Sequence, residues 1–296
     1  MTIIVITYGN RYFVNIAELI NDQVKAFPHK AAVVMPKRVK SSYLYDQLTF
    51  TEFQSRSLKY SQGFQDNGIT KGMKVLMFVS PSIDFSVITF SLFQIGAVPI
   101  FIDPGMGRKN LLKAIKSIQP EAMIAIPKVH FLRKFFPKVF NSLKFSFTTG
   151  AHSSNAKSIL PWRNVPLKTG LLKDVLINDN DLAAILFTSG GTGTPKGVEY
   201  SHHIFAKQTN MLQELFDLKP TEIDLPGFPL FSLFTISMGM TSVIPDMDPS
   251  KPAKVNPKKI IQNIIDKKTT FIAGSPAIWD KVGQYCIKKN IKLPTV

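Results

Sequence analysis

Cysteine is almost missing from this chain: Cys286 stands alone among 296 residues. No disulfide can form within it, paired Cys/His zinc spacing is absent, and a reducing, cytoplasmic setting is the expectation. Carboxylates are scarce as well. Twenty Asp and Glu face 36 Lys and Arg, leaving a net charge of +16, which favours anionic partners such as nucleotides, coenzyme A, nucleic acid or a membrane surface. Repeats and low-complexity tracts are lacking, and 45% hydrophobic with 19% charged residues describes a globular chain. A signal peptide is not expected either, because the apolar residues 1–7 have no basic start and soon meet Asn10 and Arg11. One uncharged run, residues 85–102 between Asp84 and Asp103, approaches the length of a membrane helix. Ser86, Thr89, Ser91, Gln94, Gly96 and Pro99 interrupt it, and the Gly-Ala-Val-Pro break divides it into a helix and a strand of a buried α/β core. No transmembrane helix is expected.

What the chain does have is alternation. Apolar residues at helical spacing predict helices over 16–27, 51–67, 84–95 and 111–118, and short apolar runs predict strands at 31–35, 74–79, 98–102, 122–126 and 181–187. Strand, helix and strand across 74–102 form a crossover unit, so the pairing there is expected to be parallel and the fold class α/β. Residues 130–147 mix six phenylalanines with Arg133, Lys134, Lys138 and Lys144. Stacked aromatics for RNA, or a basic patch for anionic lipid, are one reading. The buried and solvated faces of a single helix are the preferred one, and no nucleic-acid partner is expected. Residues 150–181 show little periodicity and are expected to cross the surface.

The segment Thr188-Ser-Gly-Gly-Thr-Gly-Thr-Pro-Lys-Gly197 lies between strands 183–187 and 198–200, an oversized tip for a hairpin that could turn in two to five residues. Gly190, Gly191, Gly193 and Gly197 let backbone N–H groups approach an anion, Thr188, Ser189, Thr192 and Thr194 add hydroxyls, and Lys196 adds a mobile positive charge. These are the parts of a polyphosphate cradle. A Walker A loop is excluded, since Pro195 precedes the lysine and a strand follows. A glycine-rich surface loop that binds nothing is the plain alternative. His202 and His203 follow Ser201, but neighbours on an extended segment point to opposite faces, so a Ser/His couple is not expected and Ser201 is read as a helix cap.

The ten-residue segment resembles the phosphate-binding signature of the adenylate-forming superfamily, which includes acyl-CoA synthetases, luciferases and peptide-synthetase adenylation domains. Gly191 departs from it, standing where that family carries Ser or Thr. Asn15-Ile-Ala-Glu18 through Phe27-Pro-His-Lys30, Gly96-Ala-Val-Pro-Ile-Phe-Ile-Asp-Pro104 and Tyr200-Ser-His202 resemble other parts of the same domain. The resemblance implies mixed, largely parallel sheets with flanking helices in a layered α/β/α/β/α arrangement. It implies that residues 1–296 form an incomplete N-terminal adenylation domain, with subdomains of roughly 60–205 and 1–59 plus 206–296. The adenine, Glu–Mg²⁺ and ribose motifs and the C-terminal lid domain are not in this sequence, so the polypeptide by itself is expected not to turn over.

On the same resemblance ATP is held by Thr188, Ser189, Gly190, Gly191, Thr192, Gly193, Thr194 and Lys196. Lys196 stabilises the departing pyrophosphate, and Thr192 touches phosphate or Mg²⁺. Phe228-Pro-Leu-Phe-Ser-Leu-Phe234, Met238-Gly-Met-Thr-Ser-Val-Ile-Pro-Asp-Met-Asp-Pro249 and Gly274-Ser-Pro-Ala277 are similar to the branch holding the β-lactone synthetases of bacterial olefin biosynthesis. That implies a long-chain fatty acid, preferably β-hydroxylated, in a pocket with Phe231, Ser232, Phe234, Met238, Gly274 and Ser275. Ser232 stands where many members carry histidine. Coenzyme A is the alternative acceptor, and peripheral membrane association is compatible with the charge.

Overall fold

The computed structural model describes residues 15–40, 42–150, 156–167, 175–188 and 195–296. Helix α1 (Glu18–Ala26) leads into a hairpin of β1 (Ala31–Val39) and β2 (Ser42–Thr49). Thr49 then starts α2 (Phe50–Asp66) through a capping box: its hydroxyl accepts from the Glu52 N–H, and its own N–H donates to Glu52 Oε2 at 2.8 Å. Next come β3 (Lys74–Phe78), α3 (Ile83–Gln94), β4 (Val98–Ile102), α4 (Arg108–Ile118) and β5 (Ala122–Ala125); α3 leads to the adjacent strand and α4 passes back over β3, so that β4 and β5 flank β3 in parallel. Short helix α5 (Pro127–Leu132), β6 (Phe145–Thr148) and β7 (Lys157–Ser158) follow, then the hairpin of β8 (Leu182–Thr188) and β9 (Lys196–Ser201). The remainder is α6 (His202–Leu215), β10 (Ile223–Pro226), α7 (Phe231–Ser237), β11 (Thr241–Val243), α8 (Pro257–Lys267), β12 (Phe271–Ala273) and α9 (Pro276–Lys289).

Seven strands form one sheet in the order β7-β6-β5-β3-β4-β8-β9, and five form another, β12-β10-β11-β1-β2. Pairing is parallel in both except for β8/β9 and β1/β2. Strand alternation assigns the layers. Val33 and Met77 face a central core filled by α1, α2 and α3. Their neighbours Val34 and Leu76 face away, Leu76 toward α4 and Val34 toward α8 and α9. The result is the expected mixed α/β arrangement, helices outside and between two sheets.

Three local expectations fail. The strand read as 31–35 continues to Val39 and turns back as β2, whose largely exposed, polar-rich sequence with Asp46 fits an edge. Residues 130–147 are not one helix: α5 ends at Leu132, a 3₁₀ turn covers Arg133–Phe135, and Pro137, which has no N–H to donate, stands in the irregular stretch before β6. Within 150–181 the chain does not merely cross the surface. A 3₁₀ turn at Leu160–Asn164 buries Trp162, whose ring meets Phe64, Phe147 and Tyr60 at centroid distances of 5.1, 5.7 and 6.3 Å.

Candidate active site

The C-terminal ends of the parallel strands in both sheets open onto one cleft of about 620 Å³, the location where open α/β sheets place ligands. Met77 and Phe78 from β3, Phe101 and Ile102 from β4, and Leu186 and Phe187 from β8 line one wall. Met35 and Pro36 from β1, Phe228 to Leu230, and residues 244–250 line the other. Most of this lining is apolar; the exceptions include three carboxylates, Asp103, Asp246 and Asp248. Partial burial pushes the Asp246 pKa upward, but hydrogen bonds from Tyr43 (2.6 Å) and Lys259 (3.1 Å) outweigh it and hold the carboxyl below its ordinary range. Asp248 is held low by the Ser250 hydroxyl at 2.6 Å. Both are ionised at neutral pH.

The glycine- and hydroxyl-rich segment joins β8 to β9 at this same end of the sheet. Phe187 lines the cleft, and the next residue, Thr188, pairs in register with Lys196. Lys196 is exposed. Ser189, Gly190, Gly191, Thr192, Gly193 and Thr194 lie outside the described residues, as does the Thr188 side chain, so the metal contact expected of Thr192 lies there too. Among the described residues no group of three His, Cys, Asp or Glu could hold a metal ion.

Beyond the hairpin, Ser201 caps α6 by accepting from the Ile204 N–H at 3.1 Å. His202 turns inward, and its Nδ1 accepts the Ile16 N–H at 3.2 Å. Burial lowers its pKa to about 4, with the Asp181 charge opposing, so it is a neutral structural imidazole. This agrees with rejecting a Ser/His couple.

The expected acyl-pocket residues separate. Ser232 reaches a side pocket that shares Phe85, Pro229 and Ile244 with the cleft; its hydroxyl donates to Pro229 O at 2.6 Å and sits 3.3 Å from Ser86 Oγ. Phe231 is half exposed and packs edge-on against Phe228, which does line the cleft. Phe234 stacks on Phe205 at 4.4 Å, and Met238 joins Met240 and Leu218 in a separate small core. Gly274 allows close approach to Gly227, and Ser275 caps α9 by accepting from Ala277 N–H. Phe234, Met238, Gly274 and Ser275 therefore do not line the cleft. Sequence reasoning missed Met35, Met77, Phe101, Phe187 and Ile244, for which the available signal was position at the ends of parallel strands.

Fold and site together define a two-sheet α/β protein with the β8/β9 hairpin beside an apolar cleft. The chain belongs to the AMP-binding enzyme family, whose model matches residues 20–293. It is 34% identical over 275 residues to the olefin β-lactone synthetase of Xanthomonas campestris pv. campestris, covering 92% of this chain and 49% of that protein. It is also 34% identical over 286 residues to the olefin β-lactone synthetase of Stenotrophomonas maltophilia, covering 95% and 51%. The chain thus spans about half the length of these curated relatives. Among solved structures, a long-chain fatty-acid–CoA ligase from Archaeoglobus fulgidus superposes with a TM-score of 0.78 at 20% identity, covering 94% of this chain and 55% of that one. No helix among the described residues is long and apolar enough to cross a membrane.

Proposed function

We propose that the chain supplies the ATP-phosphate loop and part of the acyl site of a carboxylate-adenylating ligase acting on a long-chain fatty acid, with a β-hydroxy acid preferred. The observation that carries this reading is the placement of the Thr188 to Lys196 hairpin directly after Phe187, at the rim of an apolar cleft. An alkyl chain suits the apolar wall, and a polyphosphate suits the glycines, hydroxyls and lysine. In the reaction a carboxylate oxygen attacks the α-phosphorus of ATP, the bond to the bridging oxygen breaks, and pyrophosphate leaves. No general base is required, because the acid is already ionised. Lys196 offsets charge on the leaving pyrophosphate, and Mg²⁺, with Thr192 as its contact, would add to this. The β-hydroxyl then attacks the acyl carbon, losing its proton, and AMP departs as the four-membered lactone closes. The two sheets would centre lobes of roughly 60–205 and 1–59 plus 206–296.

ATP–pyrophosphate exchange with long-chain acids and their β-hydroxy analogues tests the first step, on this chain and on any longer product of its gene. Exchange by the longer product, and none by the 296-residue chain alone, is the expected result. No exchange from either folded protein with Mg²⁺ present would sink the adenylation reading. Coenzyme A resolves the second step: AMP release without it supports lactone closure, whereas a thioester product moves the assignment to an acyl-CoA ligase. Lys196→Ala should weaken ATP binding by about tenfold or more while leaving AMP within about twofold, since only the outer phosphates lose a partner.

A further inference from the structure

The outer layer beside the seven-stranded sheet carries charge and exposed apolar surface that the cleft does not use. Residues 104–150 contain nine Lys and Arg and a single carboxylate, Glu121, so half of the chain's +16 originates in under a sixth of its length. Helix α4 and the segment after α5 cover the same sheet face: Ala114 and Ile115 pack from one, Val139 and Phe140 from the other. At one end Phe131, Leu132 and Phe135 stand 61, 45 and 65% exposed. Lys128, Lys134 and Lys138 are exposed around them. A groove of about 550 Å³ lies alongside, lined among others by Arg133, Lys134, Pro137, Phe140, Lys144 and Lys157. Glu121, the only carboxylate of the segment, pairs with Lys144 at 3.2 Å.

We propose that this face docks on an anionic lipid bilayer, with Phe131, Leu132 and Phe135 entering the boundary between headgroups and acyl chains while the surrounding lysines meet lipid phosphates. The exposed lysines around the tip are complementary in charge to such a surface, and an apolar tip ringed by cations is the combination that interfacial binding requires. The lysine stems can lie along the apolar tip while their ammonium groups reach outward. RNA is the poorer fit. Bases stack on open ring faces, whereas Phe131 and Phe135 pack edge-to-face on each other at 5.6 Å, and Leu132 offers nothing to stack on. Val129, in the same helix, lines the cleft, so docking would bring the rim of the cleft to the phase in which long-chain acids dissolve. That last consequence rests on the proposed function; the docking does not.

Flotation with vesicles of roughly 2:1 phosphatidylcholine to phosphatidylglycerol tests it without any ATP chemistry, so its failure and the failure of the adenylation reading are separable. The chain should float at low salt, and binding should fall by about tenfold or more on phosphatidylcholine alone, in added salt, and in Phe131→Ser/Phe135→Ser. Lys128→Glu/Lys134→Glu/Lys138→Glu should abolish flotation while the thermal midpoint stays in place, and this variant decides the matter alone if the serine variant precipitates. No flotation of the unmodified chain, or undiminished flotation of the charge-reversed variant, overturns the proposal. So does tighter binding of a single-stranded RNA oligonucleotide that the same substitutions remove.

Discussion

Helices α3 and α4 have similar topological tasks, each carrying the chain between parallel strands of the seven-stranded sheet, α3 from β3 to adjacent β4 and α4 from β4 past β3 to β5, yet their chemistry is opposite. In α3 every residue from Phe85 to Phe93 is buried. Two of its hydroxyls are satisfied within the helix, Thr89 donating to Phe85 O at 2.8 Å and Ser91 to Val87 O at 2.6 Å, while Ser86 Oγ meets Ser232 Oγ at 3.3 Å. In α4 only Ala114 and Ile115 are buried, and Arg108, Lys109, Lys113 and Lys116 are exposed. The difference follows from the number of sheets each helix touches. Helix α3 lies between two sheets and is apolar all round, whereas α4 covers one and is amphipathic. Thus position in the layer order, not connectivity, sets composition, and the chain's positive charge collects on the outer layer because the central one cannot hold it.

The largest test of this contrast is Phe90→Ala. Phe90 is fully buried against Phe53 and Phe93 at 5.4 and 5.8 Å, and truncation should cost about 3–5 kcal/mol in urea unfolding. A loss under about 1 kcal/mol would show that the central layer is not a packed core.

Next comes a pH test across the two sheets. Burial lowers the pKa of His202 from 6.5 to about 4, so the unfolded state takes up the proton first and stability drops as pH falls from 6.5 toward 4, by up to about 3 kcal/mol. Asp224, buried in β10 and accepting from Thr235, acts in reverse: burial raises its pKa from 3.8 to about 7. Its protonated form favours folding at low pH, and that contribution is lost as pH rises toward 7. The two oppose each other between about pH 4 and 6.5. Asp224→Asn should make stability rise more steeply with pH over that window than it does in the unmodified chain; an unchanged profile would refute the opposition.

A smaller effect is expected at Gly63, inside α2, where alanine would ordinarily favour the helix. Its Cβ would sit 2.4 Å from the Trp162 ring, so Gly63→Ala should cost about 1–3 kcal/mol by chemical unfolding. Stabilisation instead would mean that Trp162 moves aside freely.

That glycine also marks how far the sequence can be taken. The β3-α3-β4 unit was legible because an uncharged run broken by Gly96-Ala97-Val98-Pro99 admits few other readings. The glycines, hydroxyls and lysine of 188–197 fit an anion cradle by composition but fit a plain surface loop as well, and it is the resemblance of the segment to the adenylate-forming signature that leads to the proposed phosphate role. Strand β2 escaped because its polar alternation serves an edge whose partner lies only across the turn. Most of the cleft escaped because Met35, Met77, Phe101, Phe187 and Ile244 converge from strand ends far apart in the chain. Spacing shows that such a residue is buried but not which cavity it faces. Conversely, Phe234 and Met238 lie close in sequence to cleft residues yet pack into core, because α7 turns those positions away from the cleft.

The smallest expected effect belongs to the outer layer. Phe135 is 65% exposed, and its ring packs edge-to-face with Phe131. Little apolar surface is withdrawn from water there on folding, so Phe135→Ala should change stability by no more than about 0.5 kcal/mol. Paired with Phe90→Ala, it asks the same question of the same residue type in two layers of one sheet. If Phe135→Ala cost as much as Phe90→Ala, the aromatic cluster after α5 would be core in solution, covered by something that also hides its lysines. If it costs nothing, the retention of three large apolar side chains in water among cations has no basis in the stability of the fold, and their use lies in what that face touches.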